Sequence, residues 1–400
     1  MKDFFSNFTI LNSVLLGLIL FFFIFTFGFS TALPFLEATD LRYDGQEFSQ
    51  LATSFLDGKL YIEKFENHDC SLVDNKCYWG PAPFPAILLV PFVFLFNLFN
   101  LPFYQSYLQF FVTIAIFLLC WRLAQKFKYS FSDSLWLAFA FCFASVYIGI
   151  ALGSRSYYFA HAVTVLFLFL AIYEYFNNKR YWLIGLYFAF IFSTRFTAGF
   201  GILFFILTIF FDKKLNFKNK IFQLALMFTP VIASGLLLLY YNFVRFGNFL
   251  DNGYSIALVG EPIRDIRDQH GVFSVKYFFK NFYYYFLKLP ESFFKVSPWG
   301  LSFFIVSPIF IKIFWGSIKE KIVKFSWVTS LIILFSTLIY FTSGWWQFGP
   351  RYVLDFLPFW FLLLLYSFKG SQLNNYHRLV IGLSSFTNFF LFLSLYIRNY

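Results

Sequence analysis

Residues 11–33 read LNSVLLGLILFFFIFTFGFSTAL, an apolar run without a single charged residue. A run of this length crosses the ~30 Å hydrocarbon core of a bilayer as one helix. It is also longer than the apolar part of a typical secretion signal, so we expect an uncleaved membrane span. Similar runs recur to the end of the chain, where 60% of all residues are hydrophobic and 13% are charged. The sequence therefore predicts one all-α polytopic membrane domain over residues 1–400.

These runs predict about eleven transmembrane helices. The predicted spans are residues 12–33, 104–121, 134–152, 158–176, 182–196, 198–211, 221–243, 299–315, 326–342, 352–368 and 378–396. We expect residues 84–100, which contain Pro85 and Pro91, to be re-entrant or to lie at the interface, because a full span would put the basic stretch 122–128 outside. Residues 182–211 would be ~45 Å long as one helix, so we expect a hairpin of two short spans.

Charge sets the orientation of this topology. Lys and Arg outnumber the acidic residues on the side assigned to the cytoplasm, whereas the first outer loop, residues 34–103, is rich in Asp and Glu. The other outer segments are residues 244–298 and the short turn at 343–351. The net charge of +11 reflects this orientation, and we expect no nucleic-acid partner. The chain is predicted to lie in a bacterial inner membrane, with its active site facing the periplasm.

The first outer loop begins with the acidic stretch EATDLRYDGQEF at residues 37–48. Asp44 precedes residues 46–58, an amphipathic stretch that predicts a helix ended by a glycine. A carboxylate at this place could accept a proton from an acceptor hydroxyl as a general base, or it could cap the helix. Asp40 and Glu47 are secondary candidates. These carboxylates could also hold a divalent cation, whereas four scattered His residues make a His-based metal site improbable.

Arg351 and Tyr352 end the stretch GWWQFGPRY at residues 344–352, at the outer mouth of a predicted span. A guanidinium matches phosphate oxygens with two parallel hydrogen bonds, so Arg351 is a candidate for binding a lipid phosphate headgroup. The alternative is that it only extends to the membrane surface. Tyr352 is a candidate substrate contact beside it.

Four further basic residues lie at predicted outer ends of spans. Arg155 and His161 flank a short outer turn and could face one cavity, with a structural hydrogen-bonding role as the alternative. Arg195 lies at the tip of the short hairpin, where an ionisable residue near the membrane is a functional candidate and helix capping competes. Arg245 opens the second large loop and is a possible substrate contact.

Cys70 and Cys77 lie in the first outer loop, where an oxidising compartment would allow them to form a disulfide. The sequence leaves open whether they do. The other two cysteines fall in apolar helices and are expected to be packing residues.

A set of short motifs, spread over nearly the whole chain, resembles the GT-C glycosyltransferases. The likeness is greatest to the bacterial branch related to protein O-mannosyltransferases and lipid A aminoarabinose transferases. The motifs are YDG at 43–45, FSQLATSFLDGKL at 48–60, PAP at 81–83, STR at 193–195, YNFVRFG at 241–247, SPWG at 297–300 and FGPRY at 348–352. The PAP motif departs from the adjacent prolines common in that family.

The resemblance implies a GT-C-like fold, with juxtamembrane helices in the first outer loop. It also implies an inverting transfer of a sugar from a polyprenyl-phosphate donor to a lipid, glycan or protein acceptor. Asp44 would be the general base, while Arg351 and Arg155, with Arg195 as a third candidate, would contact the donor phosphate. The second carboxylate stays open between Asp40 and Glu47, and with it the need for a metal ion.

Two other classes of function compete with this one. A transporter or flippase of lipid-linked glycans would place charged residues midway along its spans, whereas here they lie mostly at the outer mouths. A polymerase or ligase of another membrane fold would carry its large outer loop late in the chain, whereas here the early loop holds the densest carboxylates. Both observations favour the glycosyltransferase.

Overall fold

The computed structural model describes residues 10–37, 45–63, 69–153, 155–261, 263–290, 297–368 and 372–397. Within these residues the chain is predominantly helical. The α-helices are α1 Ile10–Glu37, α2 Glu47–Leu56, α3 Phe84–Asn97, α4 Gln105–Lys126, α5 Phe131–Phe143, α6 Tyr147–Leu152, α7 Ser156–Phe176, α8 Tyr181–Phe192, α9 Phe196–Gly199, α10 Ile202–Phe210, α11 Phe217–Phe246, α12 Ile263–His270, α13 Phe278–Phe282, α14 Phe303–Val306, α15 Lys321–Leu338, α16 Leu357–Ser367 and α17 Asn375–Ile397. The 3₁₀ segments Val275–Tyr277, Pro308–Trp315 and Arg351–Asp355, the π-helical segment Tyr283–Leu287, and the strands β1 Cys70–Val73 and β2 Lys76–Trp79 complete the fold.

Six of the described helices are long and apolar enough to cross a membrane, which is compatible with a multi-pass membrane protein. They are Asn12–Ala32, Gln105–Lys126, Ser156–Phe176, Phe217–Phe246, Lys321–Leu338 and Asn375–Leu395. Each overlaps one of the eleven predicted spans. Four other predicted spans, residues 134–152, 182–196, 198–211 and 352–368, contain shorter apolar helices, so the count of eleven is not established.

Helical structure is interrupted within several of the predicted spans, and two of these breaks have a clear local cause. Residues 299–315 form α14 and then a 3₁₀ segment, because the chain turns at Ser307 and Pro308 lacks the N–H that a continuing α-helix needs. Residues 134–152 divide into α5 and α6 around Ser145, whose hydroxyl binds the carbonyl of Phe141. The hydroxyl of Ser307 accepts the N–H of Val146, at 3.1 Å, so the two breaks support each other.

Residues 182–211 reverse direction, as the sequence predicts. The ring centroids of Phe188 in α8 and Phe205 in α10 are 5.4 Å apart, whereas in one straight helix the two residues would be ~25 Å apart. The reversal occurs over residues 193–201. A Cβ on Gly199 would collide with the ring of Phe192, so glycine is needed where the two arms meet.

The helix α11 stands at the edge of the bundle. It has 30 residues, of which Met227 and Arg245 are buried, and it packs along α8. A Cβ on Gly185 in α8 would run into the carbonyl of Met227, so the small residue allows the two backbones to approach closely. The helix ends at Gly247, whose φ of 68° is the left-handed conformation typical of a C-terminal cap.

The two large loops pack against each other at one end of the bundle. The antiparallel strands β1 and β2 pair Cys70 with Trp79 and Leu72 with Cys77. The N–H of Leu258 in the second loop binds the carbonyl of Cys70 at 2.8 Å, and the hydroxyl of Ser71 binds the carbonyl of Gly253 at 2.6 Å. These bonds join strand β1 to residues 253–258 of the second loop.

Gly45, in the first loop, is fixed to the same end. The carbonyl of Gly45 accepts hydrogen bonds from the N–H of Ser156, at 2.9 Å, and from the side-chain amide of Gln105, at 2.8 Å. The predicted helix follows directly, as α2 from Glu47 to Leu56, and ends before Gly58, whose φ is 71°. Gly45 is thereby held against the N-terminus of α7, which begins at Ser156, the residue after Arg155.

Candidate functional site

A cavity of about 630 Å³ opens where both loops meet the turn at residues 343–350. Half of its sixteen lining residues are aromatic, and the wall also carries two arginines and two carboxylates. The lining residues are Asp69, Arg155, Tyr157, Tyr158, Tyr254, Val259, Gly260, Glu261, Ile263, Tyr340, Phe341, Thr342, Trp345, Trp346, Arg351 and Tyr352. This volume lies in the range of small-molecule sites, and the aromatic rings offer large apolar faces to a ligand.

Arg351 lies in this wall with 8% of its surface exposed. Its Nη1 donates to the carbonyl of Trp345 at 3.0 Å, and its guanidinium lies 5.4 to 5.7 Å from the ring centroids of Tyr158 and Tyr157. Its Nε has no hydrogen-bond partner, and no carboxylate of the described residues forms an ion pair with it. A buried cation is costly without compensation, so an anion bound in the cavity would stabilise this arrangement.

Arg155 reaches the same cavity from another element. It is the residue before α7, in an extended conformation, and its guanidinium lies 4.4 Å from the centre of the Trp346 ring. The hydroxyl of Tyr158 donates to the carbonyl of Trp346, which ties the first turn of α7 to residues 343–350. The cavity therefore has two cations from segments far apart in the chain.

Tyr254 closes the cavity from the second loop. Burial raises the pKa of its hydroxyl, so it stays protonated and can donate a hydrogen bond to a ligand. The loop is positioned by Arg267, which is 6% exposed and donates to the carbonyl of Tyr254 at 3.2 Å. The N–H of Phe341 binds the carbonyl of Val272 at 3.0 Å, which joins the same loop to the segment before the turn.

Arg195 does not belong to the described lining of the cavity. Its Nε and Nη2 bind the carboxylate of Asp355 at 2.7 and 3.0 Å, and the hydroxyl of Thr197 adds a third bond at 2.6 Å. Asp355 is fully buried. The arginine predicted as a phosphate ligand is thus used, in this structure, to compensate a buried carboxylate.

His161 also lies below the cavity wall. It is fully buried, and its Nδ1 is 3.5 Å from Oδ1 of Asp355. Its ring centroid is 5.7 Å from that of Tyr352, and the guanidinium of Arg195 lies 5.0 Å from the same Tyr352 ring. Of this cluster, only Tyr352 lines the cavity. His161 and Arg195 would therefore influence a bound ligand only through Tyr352.

Arg245 has a structural role, since its side chain contacts other protein groups. It is 6% exposed, its Nη1 donates to the carbonyl of Trp79 at 3.1 Å, and its guanidinium stacks 4.0 Å from the centre of the Tyr241 ring. It fixes the end of α11 to the strand β2. The predicted contact of Arg245 with a substrate therefore finds no support in its position.

Of the three predicted carboxylates, Asp40 and Asp44 lie outside the described residues. Glu47 begins α2, half-buried, and is not part of the described cavity wall. Among the described residues, no three His, Cys, Asp or Glu side chains come together as a metal site. A divalent cation on Asp44 and Glu47 stays a prediction.

Cys70 and Cys77 are free, buried thiols at diagonal positions of the β1–β2 pair. A hydrogen bond joins them, and it lowers the pKa of Cys70, while the same bond and burial raise the pKa of Cys77. The two side chains are close enough to interact, so the predicted disulfide stays open.

Sequence reasoning missed two polar residues that organise the site. Asp355 is an acidic residue at the start of an apolar segment, and an ionisable group in such a position is a functional candidate by default, so this signal was available. Gln347 sits 4% exposed under the turn. Nothing in its local sequence distinguishes it from a surface glutamine.

Comparison of the chain with protein-family models, curated proteins and solved structures gave no match.

Proposed function

We propose that this protein is an integral-membrane glycosyltransferase of the GT-C type, with its site at the outer face of the membrane. It transfers a sugar from a polyprenyl-phosphate donor to a lipid, glycan or protein acceptor, with inversion. The observation that carries the proposal is Arg351, a buried guanidinium in a cavity wall with no acidic partner among the described residues. A phosphate group is, with a carboxylate, one of the two anions whose oxygens such a guanidinium matches with two parallel hydrogen bonds.

The aromatic wall supports a carbohydrate rather than a small inorganic anion as the rest of the ligand. Besides two arginines and the carboxylates of Asp69 and Glu261, the cavity is lined by the rings of Tyr157, Tyr254 and Trp345 and of five further aromatic residues. Their faces suit the apolar faces of a sugar ring, and their hydroxyl and indole groups can donate hydrogen bonds. The volume of about 630 Å³ leaves room for a donor sugar and an acceptor hydroxyl together.

Asp44 is proposed as the general base. Its neighbour Gly45 is hydrogen-bonded to Ser156, and Arg155, beside Ser156, lines the cavity. This anchoring supports a base near the donor site. The reaction needs no general acid, because a lipid phosphate leaves as a stable anion when cations offset its developing charge. Arg351 and Arg155 would supply that charge, and the base would remove the proton of the acceptor hydroxyl as its oxygen attacks the sugar.

The proposal is tested by the lipids and glycans of cells that lack the protein. Deletion should cause a polyprenyl-phosphate sugar to accumulate and one glycosylated product to disappear in mass analysis. Wild-type protein should restore the product, and Asp44→Asn should not, at equal expression. Asp57→Asn is the matched control, since Asp57 is an exposed residue at the end of α2, and it should restore the product fully.

Two results would count against the proposal. If deletion leaves both pools unchanged, the protein is not a transferase of this class. If Asp44→Asn restores the product as well as Asp57→Asn does, the assignment of the general base is wrong.

A further inference from the structure

Gln347 connects three backbone positions around the cavity through one side chain. Its Nε2 donates to the carbonyl of Ser343 at 2.9 Å and to that of Trp299 at 3.0 Å. Its Oε1 accepts the N–H of Arg351 at 3.1 Å. The amide thus uses both donor hydrogens and its acceptor inside the protein, at a position only 4% exposed.

The turn that Gln347 spans is held in an unfavourable backbone conformation. Gly344 has a φ of 101°, and Trp346 has a φ of 57°, a left-handed conformation that costs free energy for a bulky residue. Such a conformation persists only when the surroundings fix it. A Cβ on Gly344 would collide with the side chain of Gln347, so the turn and the amide are fitted to each other.

The same bonds determine where Arg351 lies. The turn begins at Ser343 and ends at Arg351, and Gln347 is bonded to both ends. The carbonyl of Trp345, inside the turn, accepts the guanidinium of Arg351. Backbone position and guanidinium direction of Arg351 therefore both depend on the closed turn.

We propose that Gln347 is a positioning residue that holds Arg351 in the orientation in which it binds the phosphate of the ligand. This inference rests on the proposed function, because it takes the anion at Arg351 to be a lipid phosphate. Gln347 itself makes no contact with the ligand. A shorter Asn cannot reach both ends of the turn, and Glu keeps the acceptor for Arg351 but loses both N–H donors.

The test compares two probes that differ only in the phosphate, undecaprenyl phosphate and undecaprenol, by equilibrium binding to the purified full-length protein in nanodiscs. Gln347→Met, which keeps the size of the side chain, should weaken undecaprenyl phosphate about tenfold, equivalent to ~1.4 kcal/mol. Binding of undecaprenol should weaken much less, since six of the eight aromatic residues of the wall lie outside the turn. A merely destabilising effect would weaken both probes equally.

A double-mutant cycle separates action through Arg351 from any independent effect. In an Arg351→Gln background, Gln347→Met should cause no further loss for undecaprenyl phosphate. The matched control is Asn388→Leu, because Asn388 is a buried amide that binds the carbonyl of Val306 at 2.7 Å and lies away from the cavity. It should leave both affinities at their wild-type values.

If Gln347→Met does not fold, Gln347→Glu replaces it. Its carboxylate faces two carbonyl oxygens, so affinity relative to wild type should be lowest at high pH and recover at low pH, when protonation restores one donor. Equal loss of both probes, or full additivity with Arg351→Gln, would overturn the inference. If the wild-type protein binds the two probes equally well, the proposed function has failed at Arg351, whatever Gln347 does.

Discussion

The guanidinium of Arg195 binds the carboxylate of Asp355 through two parallel hydrogen bonds, from Nε at 2.7 Å and from Nη2 at 3.0 Å. The two residues are 160 positions apart in the chain. Their pairing joins the tip of the hairpin at residues 193–201 to the 3₁₀ segment Arg351–Asp355. The floor of the cavity is therefore fixed from beneath by a buried ion pair.

Breaking this pair on one side should destabilise the protein strongly. We expect Asp355→Leu to cost about 3–5 kcal/mol of folding free energy, because it leaves the charge of Arg195 uncompensated. The double variant Arg195→Met/Asp355→Leu should recover much of that loss. Thermal unfolding in detergent measures both, with the exposed ion pair of Lys59 and Glu63 as control, where Glu63→Ala should leave the Tm unchanged. A double variant as unstable as the sum of the two single ones would contradict the expectation.

Arg351 should increase the affinity for a phosphate ligand without stabilising the fold. Arg351→Gln removes a buried charge that has no acidic partner among the described residues, so we expect an unchanged or higher Tm. The affinity for undecaprenyl phosphate should fall about tenfold to a hundredfold, since hydrogen bonds to charged groups contribute about 1.5–3 kcal/mol. Thermal unfolding and equilibrium binding are measured on the same preparation. A lower Tm with unchanged binding would show that the guanidinium is structural.

The thiols of Cys70 and Cys77 should be the cysteines that oxidise first. Their mutual hydrogen bond lowers the pKa of Cys70, so the thiolate that attacks in disulfide formation is present at lower pH than in an ordinary cysteine, and its fraction rises with pH. Mild oxidation should therefore link the two, which peptide mass mapping without reduction detects. Cys120 and Cys142, buried in α4 and α5, should stay reduced. Oxidation of that buried pair before the outer one would contradict the prediction.

The orientation in the membrane can be measured by labelling. The turn at Asn75 between the strands and the turn at Lys213 before α11 lie at opposite ends of that helix, because Arg245 at its far end binds Trp79. In a background without the native cysteines, Asn75→Cys should react with an impermeant maleimide on intact cells. Lys213→Cys should react only after permeabilisation. The reverse pattern would place the cavity in the cytosol and exclude a periplasmic site.

The sequence predicts the helical, membrane-compatible character of this architecture and only part of its site. Apolar runs locate the long helices, and the length of residues 182–211 predicts their reversal, since both follow from local hydrophobicity. The grouping of Arg155 with Arg351 follows from topology, because each of them lies beside the predicted outer end of a span. The pairing of Arg195 with Asp355 does not, because local pattern carries no information on which of several distant ionisable residues meet. The role of Gln347 cannot be predicted for the same reason, since its three hydrogen bonds form only in the folded turn.

One feature of the fold would couple the site to its surroundings. The helix α11 has 30 residues, a length of ~45 Å, which exceeds the ~30 Å hydrocarbon core of an average bilayer. A helix of excess length accommodates a thinner or thicker membrane by changing its tilt. Because Arg245 fixes the end of α11 to Trp79, and the strands that include Trp79 follow Asp69 in the cavity wall, such tilting would pull on the rim of the cavity. Lipid composition would then act on the cavity mechanically, without any lipid entering it.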